Sequence, residues 1–201
     1  MCSLPESAAS MSHTLKARRA FWWWSARAAS EKTRMLIRQT ELADLDGFYS
    51  LFACVCAEGL YTHRQLPPAR ERILKSLMQA LAHGWPNQVI EHEGQIIGSG
   101  EVFPASICGQ KDRDDSVGFL GMQIHKAFRN QGFGTRLLGT LIESSRAFGF
   151  IALELDVYTS NRRAIHVYAA HGFKWQHDLP GRVMPDRRED QLQRMRLELA
   201  R

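Results

Sequence analysis

Residues 117–138, VGFLGMQIHKAFRNQGFGTRLL, change hydrophobic period across a glycine turn, which demands a strand that feeds directly into a helix. VGFLGMQI reads as a buried strand. Beyond Gly132, the residues Phe133, Leu137, Leu138, Leu141, Ile142 and Phe148 recur mostly at helical spacing, which predicts a helix with one buried stripe. The first turn of such a helix offers backbone N–H groups without intrahelical partners, backed by the positive end of the macrodipole. Gly132 and Gly134 lack a Cβ, so a bulky anion can approach the main chain closely. Strand, turn and helix N-terminus together predict a pyrophosphate cradle, provided the protein's own side chains do not plug those amides. Arg129 and Arg136 are placed to add charge.

Two familiar cradles do not fit. A P-loop requires a Lys-Ser/Thr pair after its second glycine, which is missing here. A dinucleotide fingerprint requires a third glycine where Leu137 stands. The stretch does satisfy R/Q-x-x-G-x-G/A through Arg129, Gly132 and Gly134.

The rest of the chain supplies the context. Residues 35–39 read as a short strand, with Thr40 as N-cap of a helix carrying Leu42, Leu45, Phe48, Tyr49, Phe52, Val55 and Cys56, closed by Gly59. A linker over 58–68 leads to a second helix with Ile73, Leu74, Leu77, Met78 and Leu81 on one face. Val89 to His92 and Ile96 to Phe103 read as strands joined at Glu93-Gly94, followed by a polar loop over 109–115. After the glycine-turn helix, IALELDVY alternates, with Ile151, Leu153, Leu155 and Val157 on one face and Ala152, Glu154, Asp156 and Tyr158 on the other. Asn161 or Ser160 caps a short helix bearing Ala164, Ile165 and Tyr168, which Gly172 closes. Strands at 173–177 and 192–199 flank a last polar loop. The order predicts a mixed α/β domain with one central, mostly antiparallel sheet and flanking helices.

At 201 residues the chain is long enough for one well-cored domain. Its net charge of +5 divides unevenly. Residues 1–34 hold six basic and two acidic residues, a net +4, whereas the remainder holds 20 basic and 19 acidic, a net +1. The charge therefore argues against a nucleic-acid surface on the domain. Residues 1–34, with their FWWW cluster, read as a disordered or non-native extension, translated sequence upstream of Met35, or a transit peptide. Residues 35–201 form the domain. No apolar run approaches a membrane span of about 20 residues. Four cysteines without C-x-x-C or zinc spacing fit free thiols, a cytoplasmic setting and no metal site.

With the glycine turn in place, a second segment completes a resemblance. LELDVYTSNRRAIHVYAAHGF, residues 153–173, is similar to the strand, N-x-x-A-x-x-x-Y helix and terminal Gly-Phe of the GCN5-related N-acetyltransferase (GNAT) family. The resemblance runs from about Met35 to the C-terminus, and it implies the acyl-CoA N-acyltransferase fold. It implies an acetyl-CoA-dependent N-acetyltransferase acting on a primary amine in a ternary complex, with acetyl-CoA as acyl-donor cosubstrate. The cofactor side would be Met122, Gln123 and Ile124 on the strand, Arg129, Asn130, Gln131, Gly132, Phe133, Gly134 and Thr135 in the turn, and Asn161 and Tyr168 beyond. Main-chain groups of residues 122–124 would pair with the pantetheine arm, and Tyr168 would protonate the departing thiolate. Read from the residues alone, Tyr168 is a packing residue more often than an acid, and Asn161 is a helix cap. Glu101 is the candidate general base, with Glu154, Asp156, His125, Glu58 and water as rivals; as residues alone, a carboxylate at a strand end is usually solvated. Lys126 and Asn130 depart from the family's usual proline and glycine. The linker 58–68 and loop 104–115 would form the amine side, where Asp112, Asp114 and Asp115 could attract a cation. The exposed side of the sheet often dimerises in this family, so the resemblance leaves a homodimer open, and no residue here identifies an interface. The alternative reading is an acyl-CoA-binding sensor or partner-binding module without catalysis.

Overall fold

The computed structural model describes residues 35–108 and 114–199. The reading of residues 1–34 as an extension, and Asp112, lie outside the described residues.

Seven strands form one sheet: β1 (Leu36–Gln39), β2 (Asn87–His92), β3 (Gln95–Pro104), β4 (Val117–Ile124), β5 (Ala152–Tyr158), β6 (Lys174–Val183) and β7 (Glu189–Glu198). Their order across the sheet is β1-β2-β3-β4-β5-β7-β6. All neighbours are antiparallel except β4 and β5, which are joined by the crossover helix α3 (Phe133–Phe148). Helices α1 (Leu45–Glu58) and α2 (Arg70–His83) separate β1 from β2, and α4 (Arg162–Ala170) separates β5 from β6. The architecture is the mixed, mostly antiparallel α/β sheet that the patterns predict.

The main core lies between α3 and one face of the sheet. Leu137, Leu138 and Leu141 are fully buried against Val102, Leu120, Leu153 and Leu155, and Gly100 on β3 leaves room for the Leu141 side chain. Burial of each such leucine contributes roughly 1.5–3 kcal/mol. Phe148, counted in the stripe from its spacing, is instead exposed and meets the buried Phe150 with ring centroids 4.8 Å apart.

The other face is polar. Alternation brings Glu101, Phe119, Gly121, Gln123, Glu154, Asp156 and Tyr158 together there. Helix α1 meets the sheet through Gly47, over the Ile96 side chain, and packs Phe48 against Ile73 and Leu77 of α2. Gly59 and Gly84 end α1 and α2 in the left-handed conformation, as their positions suggest.

Three local expectations are corrected. Thr40 is not a helix cap: it is buried, and its hydroxyl donates to Asn87 Oδ1 at 2.8 Å. The entry to α1 is a 3-10 turn over Leu42–Asp44, where the Glu41 N–H donates to Asp44 Oδ2 at 2.8 Å. The polar loop between the last strands shrinks to residues 184–188, because β6 and β7 each run for 10 residues. Ile151 is exposed, while Glu154, placed by alternation on the opposite and more polar face, is buried.

Candidate active site

The parallel pair β4 and β5 is in register only at Val117/Ala152, Gly118/Leu153 and Phe119/Glu154. Beyond that point the strands diverge. The second half of β4 keeps its partner β3 through Ile124, and β5 keeps β7 through Tyr158, but each leaves an open edge facing the other. The opening is a cleft of about 420 Å³, walled by β4, β5, the first turn of α3, α4 and Val55 of α1.

A charge network sits at the fork. Glu154 accepts from Arg196 Nη1 at 3.0 Å and Arg194 Nη1 at 3.5 Å, and Asp156 is forked by Arg194 Nε at 2.7 Å and Nη2 at 3.0 Å. The Arg194 guanidinium also stands 5.3 Å from the ring centre of Phe119, in the last paired position. Glu154 and Asp156 are thus held by arginines, which removes them as bases in waiting.

At the far end of the cleft the turn behaves as its sequence suggests. Gly132 has φ +81 and Asn130 has φ +64. Asparagine is the commonest non-glycine residue at such angles, so Asn130 replaces glycine without losing the conformation. Intrahelical bonding begins with the Arg136 N–H on the Gly132 carbonyl at 3.1 Å. Among the described residues nothing accepts from the amides of Gly132, Phe133, Gly134 or Thr135, and a Cβ built on Gly132 would meet no atom within 4 Å. The cradle is not plugged.

Met122, Gln123, Ile124, Arg129, Asn130, Gly132, Gly134, Thr135, Asn161 and Tyr168 all line the cleft. Phe133 packs into the core instead, and Gln131 turns back to donate to the Ala127 carbonyl at 3.1 Å. The Arg129 guanidinium is committed elsewhere: Nη1 and Nη2 fork the Glu58 carboxylate at 2.6 and 2.8 Å, and Nε donates to the Ile124 carbonyl at 2.9 Å. It ties the end of α1 to the end of β4, and it occupies Glu58. Asn161 caps α4 by accepting from the Ala164 N–H at 3.2 Å, which leaves its Nδ2 as a donor. His125 caps a 3-10 turn through Nδ1 and stands outside the cleft lining.

Tyr168 belongs to the core by its ring, whose centroid is 5.8 Å from that of Phe173, and to the cleft by its remaining surface. Burial pushes its phenol well above the ordinary tyrosine range, so it stays protonated. Glu101 is not the solvated strand-end carboxylate that its position suggests. Its Oε2 is shielded and accepts no hydrogen bond among the described residues, and burial pushes its carboxyl up to about 7. It lies one strand away from the cleft wall, opposite Gly121.

Sequence reasoning missed Tyr158, which lines the cleft and shares a 3.3 Å hydrogen bond with His63 Nδ1 of the α1–α2 linker. The reach of the last two strands to the linker was missed as well; Arg188 Nη2 donates to the Leu60 carbonyl at 2.7 Å and holds that linker. The only signal was the alternation of β5, which puts Tyr158 on the face of Glu154 and Asp156. The described part of the 104–115 loop does not line the cleft, and its Asp114 accepts from Ser116 Oγ at 2.6 Å.

Comparison with known proteins agrees with this fold. The Acetyltransferase (GNAT) family matches residues 49–173, and the chain belongs to that family. Its fold is similar to that of a GNAT-family acetyltransferase from Streptococcus pneumoniae, at 24% identity and TM-score 0.73, covering 83% of this chain and 100% of that one. A ribosomal-protein-alanine N-acetyltransferase from Brucella melitensis gives 24% identity and TM-score 0.71, covering 82% and 99%. A phosphinothricin acetyltransferase from Sinorhizobium meliloti, solved in complex with AcCoA, gives 19% identity and TM-score 0.72, covering 83% and 89%. No curated protein matches the sequence. Among the described residues, no helix is long and apolar enough to cross a membrane, and no group of three or more His, Cys, Asp or Glu side chains is placed to hold a metal ion.

Proposed function

We propose that this chain is an acetyl-CoA-dependent N-acetyltransferase that passes acetyl to a primary amine by direct attack within a ternary complex. The observation that carries the reading is the row of unoccupied amides from Gly132 to Thr135 at the end of a cleft whose other wall is an open strand edge. Family membership and the neighbour solved with AcCoA support the same cosubstrate.

Each chemical need then has a residue. The amides of the α3 first turn hold the pyrophosphate. Main-chain groups of Met122, Gln123 and Ile124, on the stretch of β4 that has no strand partner on its β5 side and whose Ile124 carbonyl is held by Arg129 Nε, hold an extended pantetheine arm as an added strand would. Bound acetyl-CoA supplies the activated acetyl group. Glu101, ionised above about pH 7, takes the proton that leaves the amine, directly or through water. The Tyr168 hydroxyl gives its proton to the departing sulfur, and Asn161 Nδ2 orients the bound arm.

The test is release of free thiol from acetyl-CoA against a panel of primary amines, with calorimetry for acetyl-CoA itself. Thiol release that depends on the amine is the expected result. No affinity for acetyl-CoA overturns the reading. Tight binding without transfer to any amine makes the chain an acyl-CoA-binding module instead.

A further inference from the structure

We infer that Tyr158 and His63 form a proton exit from the cleft: the incoming ammonium hands its extra proton to the Tyr158 hydroxyl, whose own proton passes to His63 Nδ1 and on to solvent. This rests on the acetyltransferase reading above and adds to it a catalytic residue, Tyr158, and the base behind it.

The 3.3 Å hydrogen bond between Tyr158 and His63 joins a group inside the cleft to one outside it. Tyr158 is buried and lines the cleft, whereas His63 is exposed and does not. One partner meets the reactants and the other meets water. Both are held by the same part of the chain. The Tyr158 ring packs with Met184 and Leu192, on the turn and second strand of the β6–β7 hairpin. The linker carrying His63 is tied to that turn by the bond from Arg188 Nη2 to the Leu60 carbonyl. Pro185 sits against it as well, 3.6 Å from the point where Gly59 would carry a Cβ.

An ammonium group only donates, so whatever receives it must accept. A phenol whose proton is committed to His63 Nδ1 presents its oxygen lone pairs, and His63 is its one hydrogen-bond partner among the described residues. The carboxylates beside the cleft are already taken: Arg129 forks Glu58, Arg194 forks Asp156, and Arg196 and Arg194 hold Glu154. The surroundings suit a relay. Partial burial lowers the His63 pKa, and the charges of Arg182 and Arg64 push the same way, so the ring is neutral at pH 7 and free to accept. Burial raises the Tyr158 pKa, with Arg182 and His63 opposing and Asp190 assisting, so the side chain stays a phenol and passes a proton on.

An ammonium sheds two protons on its way to an amide. For the first, its N–H bond breaks as an O–H forms on Tyr158, the old O–H breaks as an N–H forms on His63, and the imidazolium returns one proton to water. The second is lost once nitrogen has bonded the acetyl carbon. It goes to Glu101 and balances the proton that Tyr168 gives to sulfur. One proton per turnover therefore leaves the protein through His63.

The test compares the native chain, Tyr158→Phe and His63→Gln, with acetyl-CoA and the primary amine acetylated fastest in the panel above. The native chain uses the ammonium form, so its kcat/KM stays level above about pH 7. Each variant should lose about 100-fold at about pH 7.5, the low end for a positioned base, at unchanged acetyl-CoA affinity. The deficit should then shrink about tenfold per pH unit, as neutral amine from solution replaces the relay. Added imidazole should restore His63→Gly, which a merely structural role would not allow. Nitrogen NMR of the histidine-labelled native chain gives a readout without any amine: at pH 7 the His63 signal, identified by its loss in His63→Gln, should show a bare Nδ1 and a protonated Nε2. A deficit that is the same at every pH, no rescue by imidazole, or a protonated Nδ1 overturns the relay while the acetyltransferase reading stands. If acetyl-CoA binds and no amine is acetylated, both fall and the binding-module reading replaces them.

Discussion

Glu101 on β3 lies directly across the ladder from Gly121 on β4, and a Cβ at Gly121 would stand 3.2 Å from Glu101 Oε1. The glycine gives the carboxyl its space while the shielded Oε2 goes without a partner. Burial therefore raises the pKa to about 7, and the base form fills only above that pH. The acetylation rate kcat/KM should rise with pH through about 7 and then level off. Glu101→Gln should abolish that acid limb and cut turnover by at least about 100-fold, the low end for a positioned base. An unaltered limb in the variant removes Glu101 from the mechanism.

The same carboxyl sets a stability trend. Its folded pKa lies above its unfolded value, so the folded state keeps a proton that the unfolded chain gives up first. The stabilisation is fully present below about pH 4.5 and is lost as pH rises through about 7, by roughly 3 kcal/mol. Chemical denaturation of the native chain and of Glu101→Gln, compared at several pH values, should isolate this contribution as the difference between the two curves. Parallel curves would mean the carboxyl is better solvated than its surroundings indicate.

Tyr168→Phe keeps the ring against Phe173 and removes only the hydroxyl. Turnover with acetyl-CoA should fall roughly 10- to 100-fold, toward the modest end of acid catalysis. Acetyl-CoA affinity, read by calorimetry, should change less than about twofold, well under the tenfold that 1.4 kcal/mol represents. A variant as fast as the native enzyme would leave Tyr168 as a packing residue.

The Arg129–Glu58 fork joins two elements that the sequence separates by 71 positions. Arg129→Ala strands a Glu58 side chain that is 10% exposed, and it frees the Ile124 carbonyl. We expect a loss of about 2 kcal/mol, between the exposed and the buried cases, and weaker acetyl-CoA binding from a looser turn. Pairing it with Glu58→Gln in a double-mutant cycle should show strong coupling. Additive losses would mean that the two side chains act independently.

Gly132 and Asn130 test the turn in opposite directions. Gly132→Ala places a Cβ at φ +81 in open space, so it should cost about 1–2 kcal/mol of strain without a clash, and it should weaken acetyl-CoA by crowding the anion. Asn130→Gly should leave stability within about 0.5 kcal/mol, because the left-handed conformation at φ +64 is already tolerated. Equal effects in the two variants would contradict the geometry.

Much of this molecule could be read from its residues because the informative segments are periodic and local. The β4–turn–α3 unit, the 93–94 hairpin and the Asn161 cap each depend on neighbours within a few positions. What escaped depends on distance or on solvent. The β6 strand shows no alternation because it is an edge strand with little of either face buried, so its polar run resembled a loop. Glu154 looked like a free rival base because the arginines that bury it lie some 40 residues on. Glu101 looked solvated because nothing nearby in sequence announces that Gly121 makes a pocket for it.

The parting of β4 and β5 has a consequence for what can enter. Exposed strand edges on the outside of a protein recruit stray chains; here two of them are carried indoors, between Val55 of α1 and the inner face of α4. Only a guest slim enough to thread that slot can reach them. The molecule therefore sorts its visitors by girth first, and chemistry is asked afterwards.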